Sequence, residues 1–487
     1  MLFKRFYDDN LAQASYLIAC ERTWEGIVVD PNLDIAQYTR AAGAEHVRIT
    51  HVTETHIHAD FVSGAQGLAA ATGAKLHLSI EGAKDWGYAS DALERAEPLR
   101  DGSEISFGKV RVRAAHSPGH TPEHLTFFVS DLERGPEPVG ALTGDFVFVG
   151  DVGRPDLLER AAGAHGTMER FAAELYASIG KFKGLPDHLQ IWPGHGAGSA
   201  CGKSLGSMPQ STLGYEKLFN WAFAEMSERE FVRRVLEDQP VPPSYFGRMK
   251  KINRGAHKIS APQTVPRELG KDDLDAALRN GAVVVDTRPA ERFGGGHIPG
   301  TLNIPRNKSF LNWCGALVPE NSDLYLITDA ESDDAVNLLF SDLAKIGLSP
   351  NRGYFGHQVF SDWASAHGDL EKVRQLDAAQ LRKTASDQRV QVVDVRGPDE
   401  WRRGHLPGAI HIPLAALPER IGELDASAPI ILHCMGGGRS AIATSFLQAR
   451  GIPNVSNLAG GYEGWVKSGY KVRSEDNVPA DSIPRKS

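Results

Sequence analysis

The second half of the chain repeats itself, and the length of that repeat limits the fold more than any other feature. Val283-Val284-Val285-Asp286-Thr287-Arg288 matches Val392-Val393-Asp394-Val395-Arg396 around the aspartate, and Gly296-His297-Ile298-Pro299-Gly300 matches Gly404-His405-Leu406-Pro407-Gly408. Asp286 and Asp394 stand 108 positions apart, as do His297 and His405, whereas Trp363 and Trp465 stand 102 apart. A few residues are therefore deleted inside the second copy. Each unit has the length of a small domain. Each places an apolar run before its Asp-x-Arg and helix-like stretches after it, the order found in parallel α/β sheets. Two α/β domains are expected, at 262–370 and 371–475. A separate domain with a C-terminal linker is left at 1–258, and a polar tail with two prolines at 476–487 is expected to be disordered.

Composition excludes some partners. With 41% hydrophobic and 23% charged residues the chain suits a globular protein, and its net charge of −8 argues against nucleic acid or an anionic membrane as partner. No run of about 18 apolar residues could span a bilayer. The opening Met1-Leu2-Phe3-Lys4-Arg5-Phe6 leads into Asp8 and Asp9 without the apolar core of a signal peptide. Cys20, Cys201, Cys314 and Cys434 are scattered, which points to a reducing, cytoplasmic setting.

The first half gathers metal-ligand residue types at the ends of apolar runs. Val47–Val52 reads as a buried strand and leads into Thr55-His56-Ile57-His58-Ala59-Asp60-Phe61. Val110, Val112 and Ala114 alternate with Arg111 and Arg113, as in a half-buried strand, before His116-Ser117-Pro118-Gly119-His120-Thr121-Pro122. Thr143-Gly144-Asp145 closes a third apolar run, and Trp192-Pro193-Gly194-His195-Gly196 closes a fourth. One His or Asp beside glycine is usually a turn residue; four such groups in this order predict a metal site. Met168, Phe171, Leu175, Ile179 and Phe182 recur at helical spacing and read as core packing. Residues 240–258, with three prolines, two glycines and five basic residues, read as a linker with a solvated basic face; Arg248, Lys250, Lys251 and Arg254 are an alternative contact for an anionic thiol carrier.

The order H-x-H-x-D, P-G-H-T, T-G-D and P-G-H-G, over roughly residues 1–250, resembles the metallo-β-lactamase fold, an αββα sandwich. Phe61 stands where the two-metal hydrolases of that fold carry a histidine for their second metal, so the loop suggests one metal. Thr55–Gly64 and Gly150-Asp151-Val152-Gly153-Arg154-Pro155-Asp156 resemble the persulfide dioxygenases. The resemblance implies one iron(II) per chain, held by His56, His120 and Asp145. Two imidazoles and a carboxylate leave positions open for substrate and O₂. His58, Asp60 and His195 are then expected to orient ligands and solvent, although a zinc hydrolase would use His58 directly. Arg154 resembles an arginine that receives a substrate carboxylate. Cys201 is either a group approaching the metal pocket, with Lys203 favouring its thiolate, or a small loop residue.

Ile430-Ile431-Leu432-His433-Cys434-Met435-Gly436-Gly437-Gly438-Arg439-Ser440 reads as a buried strand, a cysteine, three glycines and a helix start. Gly436, Gly437 and Gly438 let backbone N–H groups turn toward Cys434, and a helix over 441–450 adds its dipole. Arg439 adds a full charge, and together these are expected to favour a thiolate or persulfide. With the Asp-x-Arg, the His-Leu-Pro-Gly and Leu458–Trp465, residues 371–475 resemble a rhodanese. Four residues separate Cys434 from Arg439, where the phosphatases that share this arrangement place five, so sulfur transfer is favoured over dephosphorylation. In the other copy Asp329 stands in place of the cysteine, and Ala330-Glu331-Ser332-Asp333-Asp334 lacks the glycines and the arginine. A carboxylate cannot carry sulfane sulfur, so 262–370 resembles a rhodanese that has lost its activity.

The whole resembles the persulfide dioxygenase–rhodanese fusions. That resemblance implies oxidation of a low-molecular-weight thiol persulfide by O₂, sulfur transfer through Cys434 with sulfite and thiosulfate, and a role in sulfide detoxification; a homo-oligomer is expected. The rival readings are a zinc-dependent glyoxalase II-like thioester hydrolase fused to a sulfurtransferase, and a sulfur-carrier or interaction protein whose metal domain is structural.

Overall fold

In the computed structural model, the structure describes residues 1–82, 86–163, 166–203, 205–257, 266–330, 332–350, 353–384 and 389–474. The start of the expected second domain at 262, Lys258 of the expected linker, Glu331 of the acidic loop and the tail 476–487 lie outside these residues. The chain forms two compact units. The first is 1–263 with 341–348, and the second is 264–340 with 349–487.

The first unit is built on two six-stranded sheets. The strand Gln13–Ala19 is buried along its whole length because its alternate side chains serve two cores. Ala14, Tyr16 and Ile18 pack with Val112, Phe127, Val129 and Leu142 of the other sheet, whereas Leu17 and Ala19 pack outward with Tyr38, Ala42, Leu68 and Ala69 of the covering helices. The second sheet is covered in the same way. The helix Met168–Lys183 buries Phe171, Leu175, Ile179 and Phe182, the stripe expected from its spacing. The layers are helix, sheet, sheet, helix. The strand Val110–His116 alternates as expected, with Val110, Val112 and Ala114 inward. The strand Arg48–Thr53 is less uniformly buried than its apolar run suggests, since Thr50 and His51 are half-open.

The second unit contains two five-stranded sheets with the same topology. In each, the fourth strand in chain order lies between the second and the fifth: 324–327 pairs in parallel with 283–286 and with 353–355, and 430–433 with 391–394 and with 455–458. Both copies close their sheets with parallel pairs, so each strand's C-terminal end opens onto the loop that leads to a helix. The helix after Cys434 runs from Gly438 to Gln448, starting three residues earlier than its sequence suggests, because Gly437 at φ +108° turns the chain directly into it. No helix among the described residues is long and apolar enough to cross a membrane.

The segment 240–258 departs from the linker expectation. Phe246–Arg254 is a helix with Phe246, Met249 and Asn253 buried. Its prolines precede it and leave its backbone donors intact. Asn253 donates to the carbonyls of His58 (2.8 Å) and Phe61 (2.6 Å) and accepts from the Ser63 amide (2.9 Å). One buried amide therefore holds the 58–63 loop against this helix.

Candidate metal and sulfur sites

The four motif loops of the first unit follow the strands Arg48–Thr53, Val110–His116, Gly140–Gly144 and Gln190–Pro193. They bring His56, His120 and Asp145 together, all buried, with their donor atoms within 4.8 Å of one another. Nε2 of His120 lies 3.5 Å and Nε2 of His56 lies 3.9 Å from Asp145 Oδ2. The opposite ring nitrogens are tied back: His120 Nδ1 pairs with the Arg154 carbonyl at 3.1 Å and His56 Nδ1 with the Thr55 hydroxyl at 3.0 Å. Such contacts fix which nitrogen faces inward. Burial, reinforced by neighbouring positive groups including Lys250, drives both histidines well below the usual imidazole range, and a neutral ring is what a metal requires. Burial raises the Asp145 carboxyl to about 6 against the opposing pull of His195, and neither of its oxygens has a hydrogen-bond partner. A cation would satisfy this buried carboxylate. The approach is so close that a Cβ at Gly194 would stand 2.8 Å from Asp145 Oδ1.

His58 faces elsewhere. Its Nε2 is 3.1 Å from Asp30 Oδ1, and although burial lowers its pKa, Asp30 outweighs burial and brings it to about 9. Asp30 also accepts from the Thr55 amide (2.6 Å) and hydroxyl (3.0 Å), so one carboxylate braces the whole start of the loop. Asp30 was not singled out in the sequence. Its signal was an acid ending the apolar run Ile27-Val28-Val29. Asp60, His195 and Cys201 form a second buried group of donors within 4.8 Å. His195 Nε2 lies 3.3 Å from Asp60 Oδ2 and 3.4 Å from Asp145 Oδ1. Asp145 thus presents one oxygen to each group. Phe61 is fully buried, its ring 4.4 Å from that of His58.

Three sequence expectations are corrected. Arg154 offers no free fork to a substrate. It is fully buried, bidentate to Asp156 (2.9 and 2.8 Å), and donates to the carbonyls of Ala200 (3.0 Å) and Pro240 (2.6 Å). Cys201 does reach the metal pocket, but as a thiol. Burial, then the carboxylates of Asp60 and Asp145, push its pKa well up, while Lys203 turns outward to the Glu237 carbonyl at 2.5 Å. The charge of Arg439 is not left for Cys434 alone, because Glu400 takes its fork at 2.6 and 2.7 Å.

Cys434 is buried, and its Sγ receives the Gly437 amide at 3.1 Å and the Ser440 hydroxyl at 3.5 Å. Ser440 had no signal beyond its place at the helix start. Gly436 and Gly438 flank the donating amide, and Gly438 opens the helix. At the matching place in the other copy, Asp329 accepts from Arg292 at 3.1 Å. The charge of Asp329 is thus met by a cation from its own copy.

Two stacked sheets between helices, with a buried His-His-Asp group at their strand ends, define a metallo-hydrolase-type sandwich, and two parallel sheets with an Asp-x-Arg frame define a repeated sulfur-transfer-type fold. The comparisons agree. Residues 8–195 match the metallo-β-lactamase superfamily, and residues 270–361 and 377–468 each match the rhodanese-like domain. A crystal structure of a metallo-β-lactamase from Staphylococcus aureus superposes with a TM-score of 0.65 at 40% identity, covering 73% of this chain and 99% of that one. A β-lactamase hydrolase-like protein of Agrobacterium fabrum is 26% identical over 298 residues, 56% of this chain and 64% of the relative, so the chain spans less than two thirds of that protein. The mitochondrial persulfide dioxygenase ETHE1 of Bos taurus is 28% identical over 200 residues, 40% of this chain and 68% of the relative. The chain belongs to the metallo-β-lactamase superfamily and continues into two rhodanese-like domains.

Proposed function

We propose that the chain is a non-haem iron persulfide dioxygenase fused to one active and one inactive rhodanese module. The observation that carries this reading is the donor set His56, His120 and Asp145, with an unsatisfied buried carboxylate and Phe61 where a second histidine would stand. These residues fit iron(II): two neutral imidazoles and one carboxylate leave coordination positions open, and iron supplies the redox step that zinc lacks. Similarity to the bovine persulfide dioxygenase supports the same chemistry.

The reaction is RSSH + O₂ + H₂O → RSH + SO₃²⁻ + 2H⁺, in which the sulfane sulfur gives up four electrons to O₂. In this reading Thr55 and the Arg154 carbonyl hold the two imidazoles in place, Asp30 anchors Thr55 and His58, and the fully buried Phe61 ring packs against His58. At the second site Cys434 attacks the outer sulfur of a persulfide, the carrier thiol leaves with the proton, and the Gly437 amide and Ser440 hydroxyl support the resulting sulfur anion. Sulfite then takes that sulfur as thiosulfate: RSSH + SO₃²⁻ → RSH + S₂O₃²⁻. A shared chain raises the effective concentration of the intermediate.

The second reading, a zinc thioester hydrolase, has one specific observation in its favour: Asp60, His195 and Cys201 stand beside the other oxygen of Asp145. Metal analysis of the full chain, followed by O₂ uptake with persulfides of several thiols, separates the two. Iron near one per chain with O₂ consumption is expected; two zinc ions per chain and thioester hydrolysis without O₂ uptake would overturn the dioxygenase reading.

A further inference from the structure

The loop that follows Cys434 carries a single charge. Met435-Gly436-Gly437-Gly438-Arg439 leads to Ser440, and Arg439 is its only cation. The fold then fills that cation's fork. Both terminal nitrogens of the guanidinium donate to Glu400, at 2.6 and 2.7 Å, and each side chain of the pair is less than a third exposed. Glu400 is itself held, since its Oε2 also accepts the Gly397 amide at 3.2 Å, where the helix Pro398–Arg403 begins. The guanidinium of Arg396 is no substitute, being fully buried and taken by Asp394 and the Gly404 carbonyl. His433, next to Cys434, is kept neutral at physiological pH by burial. The groups that meet Cys434 Sγ are therefore uncharged: the Gly437 amide at 3.1 Å and the Ser440 hydroxyl at 3.5 Å. A Cβ on Gly436 or Gly438 would meet no atom within 4 Å beyond its own stretch of chain, so nothing there crowds an incoming donor.

The middle copy shows that this helix position answers the charge of the loop. Arg292 stands 108 positions before Glu400, and it pairs with Asp329, at the place of Cys434, at 3.1 Å. Where the loop offers an acid, the helix supplies a cation; where it offers a cation, the helix supplies an acid. A site built to trap a dianion would leave its guanidinium free, because a planar fork matches the paired oxygens of such an anion.

We propose that Glu400 is a specificity-determining residue of the Cys434 site: by occupying the Arg439 fork it selects a sulfur donor of low charge, a persulfide, over the dianion thiosulfate. This assignment rests on the sulfur-transfer reading of Cys434. The two steps are Cys434–S⁻ + RSSH → Cys434–SS⁻ + RSH and Cys434–SS⁻ + SO₃²⁻ → Cys434–S⁻ + S₂O₃²⁻. In the first, the thiolate bonds to the outer sulfur as the donor's S–S bond breaks, and the carrier thiol leaves with the proton. In the second, sulfite takes that sulfur and Cys434 is released as thiolate. The product carries two charges. A free fork would hold it on the site, whereas a filled one lets it go and leaves Cys434 open to the next persulfide. The overall equilibrium is unchanged; Glu400 sets only the relative binding of the two donors.

Sulfur transfer to cyanide is measured without O₂ in the full chain, from thiosulfate and from the persulfide of mercaptoethanol, an uncharged carrier, after subtracting the rate without enzyme. Glu400→Gln keeps the length of the side chain but not its charge. It should lower KM for thiosulfate about tenfold, the worth of roughly one charge-assisted hydrogen bond, and change KM for the persulfide by less than about threefold. Glu400→Asp, which keeps the charge, should keep the parent's preference. Adding Arg439→Gln to Glu400→Gln should erase the gain. An unchanged ratio of kcat/KM between the two donors overturns the proposal. So does an equal fall in turnover with both donors at unchanged KM, which would make Glu400 a support for the loop. Should Glu400→Gln fail to fold, Glu400→Ala gives the same reading. If the parent transfers sulfur from neither donor, the sulfur-transfer reading fails, and calorimetric titration of thiosulfate into the Cys434→Ser chain still decides what Glu400 does. Affinity about tenfold higher with Glu400→Gln added supports its part in anion selection, and equal affinity overturns it.

Discussion

The two rhodanese-like copies share a frame and differ in one loop. In each, an Asp-x-Arg arginine folds back on its own aspartate and donates to a glycine carbonyl eight residues on: Arg288 to Asp286 and Gly296, Arg396 to Asp394 and Gly404. Each guanidinium lies over an aromatic ring, Phe360 at 3.6 Å and Tyr462 at 4.1 Å. Each histidine of the His-x-Pro-Gly stacks on the aromatic residue four positions before it, His297 on Phe293 and His405 on Trp401. The charges around the loop are exchanged. Glu400 pairs with Arg439 beside Cys434, whereas Arg292, at the position equivalent to Glu400, pairs with Asp329. The comparison teaches that the same Asp-x-Arg frame forms whether the loop carries Cys434 or Asp329. In the function proposed above, competence would lie in the few residues between the fourth strand of the copy and its helix.

The largest expected effect breaks the comparison on the competent side. Cys434→Ser keeps the size of the side chain but puts a protonated hydroxyl where a sulfur nucleophile stands, so sulfur transfer should fall by at least on the order of a thousandfold. O₂ uptake with persulfide should persist and sulfite should accumulate; loss of uptake with metal and folding intact would mean that the two sites are not independent.

The next effect should be common to both copies. Arg396→Met and Arg288→Met each strand a buried aspartate, at a cost of about 3–5 kcal/mol. Denaturant unfolding should place Arg288→Met at the lower end, since Arg288 is slightly exposed and Arg396 is not. A destabilisation confined to one copy would refute the shared-frame view.

Acid should then act on the neutral buried histidines. Burial holds His297 in the middle copy, and His433 beside Cys434, near a pKa of about 4, against 6.5 when unfolded. The unfolded chain therefore binds more protons between these values, and stability present above pH 6.5 is lost as pH falls toward 4. Each histidine should contribute on the order of 1–3 kcal/mol to that loss. His297→Gln should flatten the dependence of the melting temperature on pH over this window, and an unchanged slope would show that His297 is already charged.

Smallest of all should be Asp329→Ala. Its pair with Arg292 is largely exposed, so stability should change by no more than about 1 kcal/mol, and sulfur transfer should be nearly intact. A large fall in turnover without loss of stability would give the middle copy a chemical part to play.

Much of this was already legible in the chain. The 108-residue offset announced two sheets of one topology, because matching strand and turn residues select matching local structure. The order of His56, His120, Asp145 and His195 announced strand-end loops that converge, and Cys434 with its glycines announced a strand-to-helix turn. What could not be read locally was partner choice. Arg154 reads as a free fork until Asp156 and the carbonyls of Ala200 and Pro240 are seen to fill it, and Arg439 as an unopposed charge until Glu400, 39 residues away, is seen to meet it. Asp30 gains its role only when the strand Glu25–Val29 lies beside Arg48–Thr53. Prolines made 240–258 look like a linker, yet its helix holds the metal loop through Asn253, nearly 200 residues from the carbonyls it binds. Periodicity and turn chemistry act between near neighbours and are written in the sequence. Hydrogen-bond saturation and burial depend on which distant groups the fold brings within 3 Å, and those only the tertiary structure decides.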